Sequence, residues 1–399
     1  MSERIIFWQN GPSIQQAPLI REVARLWSGE VLVVAEKGVS ESRLAQGWDL
    51  PDFEPARLVV HPDRRERERI WRMGEGNNIH IFSGFHAYPE TYWTMKAVSR
   101  GADVIGVYVE PGWDDGSIRA VLRRLRYAIH ARRWSRRIAF LLAAGETGVR
   151  WYQERGFRAE RIIPFGYFVE CMSEETALEK GEIEGKAYEG WFRLIYVGQL
   201  VKLKGVDILL RALSRMRERQ WLLEIVGAGE EGARLRGLTE ELDLDTRVRW
   251  LGVIPNREIR KRLASADLLI LPSRHDGWGV VVNEALGAGT RVVVSSACGA
   301  SDIVVSPYQG AVFAAGSDTE LENALRAAME RGKLSSRERR GLRAWARESI
   351  GPAVAARYLL DVIEYAKGGR DKPIPPWRRG GIGLGSDEFS IGPQPSGCW

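Results

Sequence analysis

The residues best suited to chemistry lie between positions 267 and 289, which read DLLILPSRHDGWGVVVNEALGAG. An apolar strand ends at Pro272, a turn containing two glycines follows, and a helical pattern begins after the turn. Ligands of doubly wound sheets bind beyond the carboxyl ends of the strands. The free N–H groups of such a turn and the positive end of a helix dipole suit a diphosphate. The segment predicts a diphosphate site formed by Gly277, Trp278, Gly279 and Val280.

Two carboxylates flank this turn. Glu284 lies about one helical turn into the helix, where its carboxylate can accept hydrogen bonds from both hydroxyls of a ribose. Asp276 lies at the tip of the strand, close to where a sugar on the diphosphate would be held. Asp276 and Glu284 are therefore candidate catalytic residues, and Glu284 is also a candidate contact to the nucleotide.

The segment resembles the E-x7-E region of the retaining glycosyltransferases of family 4, which have the GT-B fold. In this chain the motif reads D-x7-E, from Asp276 to Glu284. The first acidic side chain is thus one methylene shorter than the Glu of the family, and it keeps its carboxylate. The resemblance implies an α/β fold of two Rossmann-like domains that face each other across a cleft. It also implies transfer of a sugar from a nucleotide diphosphate sugar, with retention of anomeric configuration.

A second match is VGQLVKLKG at 197–205. The family pattern is a strand, then G-R-L, then a Lys and a Gly before a helix, and Gly198 and Lys204 fit it. In the family the Arg and the Lys hold the donor diphosphate, whose charge increases as the glycosidic bond breaks. Here Gln199 replaces the Arg, and a neutral amide adds no charge. Either Lys202 compensates or the donor is held more weakly.

Shorter matches extend the resemblance over about 160 residues. IVGAGEE at 225–231 resembles a strand, turn and helix of the family, and it contains Gly227. WLGVIPNREI at 250–259 resembles the segment beside the nucleotide base, which makes Val253 and Ile254 candidate base contacts. Each short match also fits an ordinary turn or loop, and their joint order and spacing carry the resemblance.

The first half of the chain resembles the family less, as expected of the half that binds a variable acceptor. His86 follows a predicted strand end and is expected to point toward the cleft, which makes it an acid–base candidate. Glu110, which follows the predicted strand VIGVYV, is the alternative candidate. A single His at a strand end is more often structural. Retaining GT-B enzymes are usually thought to use a front-face mechanism, in which the leaving phosphate assists deprotonation of the acceptor hydroxyl.

Strand and helix patterns alternate along the chain and predict two doubly wound parallel sheets. We expect an acceptor domain at 1–168, a linker at 169–191 and a donor domain at 192–351. A helix at 352–367 is expected to cross back onto the first domain. The Gly- and Pro-rich segment 368–399 is expected to be a flexible tail, with Pro376, Trp377 and the arginines at 378–379 as residues that could dock.

Positive charge is concentrated between Ile118 and Ile138, which contain eight Arg and no acidic residue. Apolar residues alternate with these arginines, so a helix here could lie on anionic lipid. The alternative is a solvated helix whose apolar stripe packs on its own domain. The same arginines could contact nucleic acid phosphates, but no nucleic-acid motif accompanies them, so we expect no nucleic-acid partner.

Composition narrows the class of protein further. The 399 residues carry a net charge of +6, with 28% charged and 44% hydrophobic residues, as is ordinary for globular proteins. Three distant cysteines argue against a disulfide framework and a Cys-based zinc site. No run reaches the roughly 18 apolar residues of a spanning helix, so we expect a cytoplasmic protein, either free or peripheral at the inner face of the membrane.

These observations predict a retaining glycosyltransferase that acts on a glycan or polyprenyl-linked acceptor in bacterial surface polysaccharide biosynthesis. No cofactor or metal is expected, because Lys204 and backbone N–H groups meet the diphosphate and no Asp-x-Asp motif ends a strand. Two alternatives stay open, a nucleotide-sugar 2-epimerase and a catalytically degenerate sugar-nucleotide binding protein.

Overall fold

The computed structural model describes residues 3–39, 50–85, 88–172 and 188–379. Two parallel sheets dominate it, one built from the first half of the chain and one from the second. The predicted linker falls largely outside the described residues, as do His86 and residues 380–399.

The first sheet has seven parallel strands in the order β3-β2-β1-β4-β5-β6-β7. Chain order reverses between β1 and β4, which pair in register from Arg4 with Asn78 to Trp8 with Phe82. Because helices cover both faces, the strands are buried and their sequences are continuous apolar runs. The strands are β1 (Arg4–Gln9), β2 (Val31–Ala35), β3 (Arg57–Val60), β4 (Asn78–Ser83), β5 (Val104–Val109), β6 (Phe140–Ala144) and β7 (Ile162–Phe165).

The second sheet has six parallel strands in the order β10-β9-β8-β11-β12-β13. Chain order reverses here between β8 and β11, which pair at Leu194 with Leu268 and at Ile195 with Leu269. The strands are β8 (Phe192–Val197), β9 (Trp221–Val226), β10 (Val248–Gly252), β11 (Leu268–Leu271), β12 (Arg291–Ser295) and β13 (Gly310–Phe313).

Helices connect the strands and cover the faces of both sheets. In the first domain they are α1 (Ala17–Leu26), α2 (Arg64–Arg72), α3 (Pro89–Val98), α4 (Ile118–Trp134) and α5 (Gly145–Gln153). In the second they are α6 (Val206–Ser214), α7 (Gly232–Glu241), α8 (Asn256–Ser265), α9 (Val281–Gly287), α10 (Asp318–Arg331) and α11 (Ser336–Ile350), with α12 (Pro352–Ala366) last.

Helix α12 returns to the first domain. The Tyr358 hydroxyl donates to the Pro164 carbonyl at 2.9 Å, and the Tyr365 hydroxyl donates to the Glu160 carbonyl at 2.8 Å. Lys367 pairs with Glu3 at 2.7 Å. The end of the second half is therefore anchored to the first sheet.

Two doubly wound sheets with helices on both faces confirm the predicted α/β architecture. The sequence places the thirteen strands correctly, with ends that differ by up to a few residues. Apolar runs bounded by turn residues are strong strand signals, whereas end positions depend on the neighbouring strand. Among the described residues, no helix is both long enough and apolar enough to cross a bilayer.

Candidate functional site

The second sheet brings Lys204 and Asp276 together at its switch point. Lys204 follows β8 and Asp276 follows β11, the two strands between which chain order reverses. The Lys204 ammonium donates to the Asp276 Oδ2 at 2.6 Å, and both side chains are mostly buried. Switch points open a crevice at the carboxyl ends of the strands, where ligands bind. Two motifs 72 residues apart thus form one site.

The loops after β8 and β11 are held against each other. Gly205 has a φ of 67° and lies so close to Pro272 that a Cβ would collide with the Pro272 carbonyl. Arg274 makes two 2.7 Å bonds to Asp207 and donates to the Lys202 carbonyl at 3.0 Å. These contacts fix the backbone on both sides of Lys204, so its ammonium is directed into the crevice.

The glycine turn presents backbone donors to the same crevice. Among the residues that the structure describes, the N–H groups of 277–280 donate to no protein acceptor. The Asp276 N–H donates to the Ala297 carbonyl at 3.1 Å, and the Gly299 N–H donates to the Asp276 carbonyl at 3.2 Å. The turn is therefore fixed at its start while its following amides stay available, as an anion requires.

The Trp278 side chain does not face this crevice. It is buried, its Nε1 donates to the Asn283 Oδ1 at 2.8 Å, and its ring lies against Gly166 of the first domain. Trp278 thus offers a ligand its backbone N–H, while its indole joins the two domains.

Glu284 lies in α9, is partly buried, and makes no ion pair within 4.0 Å with any described residue. Withdrawal from water raises the pKa of the Glu284 carboxyl to about 7, and the charge of Arg260 opposes this rise. A carboxylate kept from water without a close partner is costly to the free protein. That cost is typical of a group arranged for a ligand.

The remaining candidates of the second domain, for the nucleotide and for the diphosphate, follow β8, β9 and β10, which are adjacent in the sheet. Gly227 has a φ of 134°, donates from its N–H to the Gly252 carbonyl at 2.7 Å, and lies so close to Gly198 that a Cβ would collide with its carbonyl. Val253 is 60% exposed and Ile254 is half-buried. Gln199 is exposed, and its carbonyl accepts the Tyr196 hydroxyl at 2.8 Å. These residues lie at the carboxyl-terminal edge of the second sheet.

Glu110 reaches this site from the first domain. It follows β5, and its Oε2 lies so close to Gly277 that a Cβ there would collide with it. The Tyr167 hydroxyl donates to the Glu110 Oε1 at 2.6 Å. Surrounding protein raises the pKa of Glu110, and the charge of Asp276 adds to that rise while Lys204 opposes it. Glu110 keeps an exposed edge that a second substrate could reach.

The structure therefore brings Glu110, Asp276 and Lys204 together. Glu284 lies on α9, the helix that follows the glycine turn. Sequence reasoning missed Tyr167 and Asn283, which no local motif marks. It also missed Arg274 and His275, although both lie within two residues of Asp276. Desolvation lowers the pKa of His275, and its hydrogen bond to the Pro111 carbonyl opposes this, so His275 lies against the loop that carries Glu110.

No group of three His, Cys, Asp or Glu side chains that could hold a metal is found among the described residues. The Lys204 ammonium supplies a positive charge to the crevice. The expectation that the site works without a metal stays a prediction.

Comparison with solved structures defines the class of fold. HepE of Anabaena in complex with UDP superposes with a TM-score of 0.68 over 91% of this chain and 100% of that chain, at 16% identity. The chain has the GT-B fold, as the resemblance implied.

The similarity to known families lies mainly in the second domain. Residues 182–345, which are less than half of the chain, match the family model of glycosyl transferases group 1. An uncharacterised glycosyltransferase of Methanocaldococcus jannaschii is 35% identical over 118 residues, which are 29% of this chain and 30% of that protein. The D-inositol 3-phosphate glycosyltransferase of Corynebacterium jeikeium is 36% identical over 109 residues, which are 25% and 26%. These alignments span less than a third of each relative.

Proposed function

We propose that this protein is a retaining glycosyltransferase that uses a nucleotide diphosphate sugar as donor. One observation carries the proposal. Lys204, the free amides of the glycine turn and the carboxylates of Asp276 and Glu110 meet at the switch point of the region that matches the group 1 family. Solved structures of HepE, which shares the fold, contain UDP and UDP-glucose. The cation and the free amides at the switch point support a nucleotide diphosphate sugar as the class of donor.

The Lys204–Asp276 pair is the resting state of the donor site in this proposal. An incoming diphosphate competes for the Lys204 ammonium, and the negative charge on the leaving phosphate grows during bond cleavage. A fixed cation is then worth more in the transition state than in the ground state. Release of Lys204 frees the Asp276 carboxylate to accept hydrogen bonds from the donor sugar. The Glu284 carboxylate accepts hydrogen bonds from the ribose hydroxyls of the donor.

The acceptor approaches from the first domain. Glu110 lies beside Gly277 and near Asp276, at the junction between the domains. In a front-face reaction the leaving phosphate takes the proton of the acceptor hydroxyl, and Glu110 is placed to orient that hydroxyl or to share its proton. His86 stays an untested candidate for this role.

We further propose that the acceptor is a glycan or a polyprenyl-linked glycan met at an anionic membrane surface. The face of α4 formed by Ile118, Val121, Leu122, Leu125 and Ile129 is exposed, each side chain by 48–76%. Exposed arginines flank this face along the same helix. An apolar stripe with a basic border suits the surface of an anionic bilayer. A role in surface polysaccharide synthesis at the inner face would follow.

The experiment is a donor panel. The full chain is incubated with UDP-, GDP- and ADP-glucose, and release of the nucleoside diphosphate is measured. We expect release from one donor, and a Lys204→Met variant should lower kcat/KM about 100-fold, as expected for loss of a charge-assisted contact to a developing anion. Lys96→Met, which removes an ammonium in the first domain, serves as the control.

Other outcomes separate the alternatives. Conversion of the sugar without acceptor, with the nucleotide retained, would indicate a 2-epimerase. Nucleotide binding without release would indicate a degenerate binding protein. An unchanged rate in Lys204→Met would contradict the proposed donor site.

A further inference from the structure

Tyr167 connects the acceptor-side carboxylate to the second domain. It follows β7, and its hydroxyl donates to the Glu110 Oε1 at 2.6 Å. Its ring packs edge-on against the buried Tyr108, with centroids 5.3 Å apart. The Tyr167 carbonyl accepts a 3.0 Å bond from the Asn283 Nδ2. Tyr167 therefore contacts Glu110 through its side chain and Asn283 of the second domain through its backbone carbonyl.

Asn283 is itself held by the donor turn. It is buried, and its Oδ1 accepts the 2.8 Å bond from the Trp278 Nε1. The Trp278 ring lies against Gly166, directly before Tyr167. The orientation of Tyr167 is thus fixed by two residues of the glycine turn and of α9, which belong to the half of the chain that would bind the donor.

We propose that Tyr167 is a positioning residue that holds the Glu110 carboxylate toward the sugar-transfer site, and that Asn283 makes this hold depend on contact between the two domains. This inference rests on the proposed function, because Glu110 matters only if a sugar is transferred at this junction. The short bond from the Tyr167 phenol restrains the Glu110 carboxylate, whose Oε2 lies beside Gly277. When the domains separate, the Asn283 contact to Tyr167 is lost.

The groups around Glu110 determine in which direction its pKa should change when Tyr167 is substituted. Tyr167 and Lys204 favour its ionised form, while desolvation and the charge of Asp276 favour the protonated form. The Tyr152 hydroxyl donates to the Glu110 carbonyl, not to its carboxylate, and His275 lies at the neighbouring Pro111. Removing the Tyr167 hydroxyl takes away a donor to the ionised form, so the pKa of Glu110 should rise.

The first experiment uses Tyr167→Phe and the donor that the wild type cleaves. We expect kcat to fall about tenfold, KM for the donor to stay within about twofold, and the acidic limb of the pH profile of kcat/KM to move up by about one pH unit. If Tyr167 had only a structural role, its substitution would leave the acidic limb of the pH profile where it is in the wild type. Tyr358→Phe removes another buried hydroxyl, from the Pro164 carbonyl, and is the matched control.

A second measurement needs no donor. The pKa of Glu110 is followed by carbon NMR on chain labelled at the glutamate carboxyl carbons, with Glu110→Gln to identify the signal. A higher pKa in Tyr167→Phe than in the wild type and in Tyr358→Phe supports the inference, and an unchanged pKa overturns it. Absence of turnover with every donor would overturn the proposed function, whereas normal turnover with an unmoved acidic limb would overturn only the role of Tyr167.

Discussion

At the scale of single residues, the carboxylates of the crevice differ in their surroundings. Asp276 has the Lys204 ammonium at 2.6 Å, Glu110 has the Tyr167 hydroxyl, and Glu284 forms no ion pair within 4.0 Å in the described part of the chain. The motif spacing predicted that Asp276 and Glu284 share one ligand, because one strand tip and one helical turn separate them. It did not reveal the partners of Glu110, which come from strands and loops far along the chain.

The pKa of Glu284, raised to about 7, gives a prediction with a definite sign. This carboxyl holds its proton more tightly in the folded chain than in the unfolded one. The resulting cost to stability is absent below the unfolded pKa and grows as the pH rises toward 7. Glu284→Gln should therefore raise the free energy of unfolding at pH 8 by about 2 kcal/mol and change it little at pH 4.

Urea unfolding at both pH values measures this difference, with Glu240→Gln as an exposed control. The same variant should weaken binding of the nucleoside diphosphate by about tenfold, because an amide is a weaker acceptor for ribose hydroxyls than a carboxylate. Lower stability of Glu284→Gln at pH 8 would show that the carboxylate serves the fold and not a ligand.

At the scale of elements, α4 is unusual because its apolar stripe faces away from its own domain. Buried contacts are made instead by Ala120, Ala131 and Trp134, which lie on the opposite side of the helix. The sequence left two interpretations of this segment open, lipid surface and self-packing. The packing of Ala120 and Trp134 against the domain places Leu122, Leu125 and Ile129 outward, and this weakens the second interpretation.

The combined variant Leu122→Ser and Ile129→Ser should lose most binding to anionic vesicles. The two side chains are 61% and 66% exposed, and burying each in a bilayer would contribute about 1.5 kcal/mol or more. We expect at least a tenfold drop in sedimentation with phosphatidylglycerol-rich vesicles at low salt, and weaker wild-type binding at high salt. Leu26→Ser, on the exposed end of α1, is the control. Equal sedimentation of both variants would rule out insertion of this face.

At the scale of the whole molecule, the two domains are in direct contact beside the crevice. Gly145 lies against Gly299, Gly166 against Trp278 and Gly277 against Glu110, and a Cβ at each glycine would collide with its neighbour. The segment after α12 crosses the same junction. Trp377 is buried and donates to Asp302 at 3.2 Å, and Arg378 pairs with Asp302 and with Glu146 of the first domain.

Arg378→Ala should loosen this junction, because one guanidinium joins carboxylates of both domains. We expect the unfolding midpoint to fall by about 2–4 °C and the single calorimetric transition to begin separating into two. Arg379→Ala is the matched control, since Arg379 pairs with Asp361 on α12. An unchanged thermogram for Arg378→Ala would mean that the remaining contacts hold the domains without it.

The sequence by itself determined the alternation of strands and helices, the two doubly wound sheets and the donor-side motifs. These features rest on local signals, such as apolar runs, glycine turns and charged residues at strand tips, which act over a few residues. Only the tertiary structure decided that Lys204 pairs with Asp276, that Tyr167 holds Glu110, and that Arg378 bridges the domains. Such contacts depend on strand order and on how two domains meet, and neither leaves a periodic pattern in the chain.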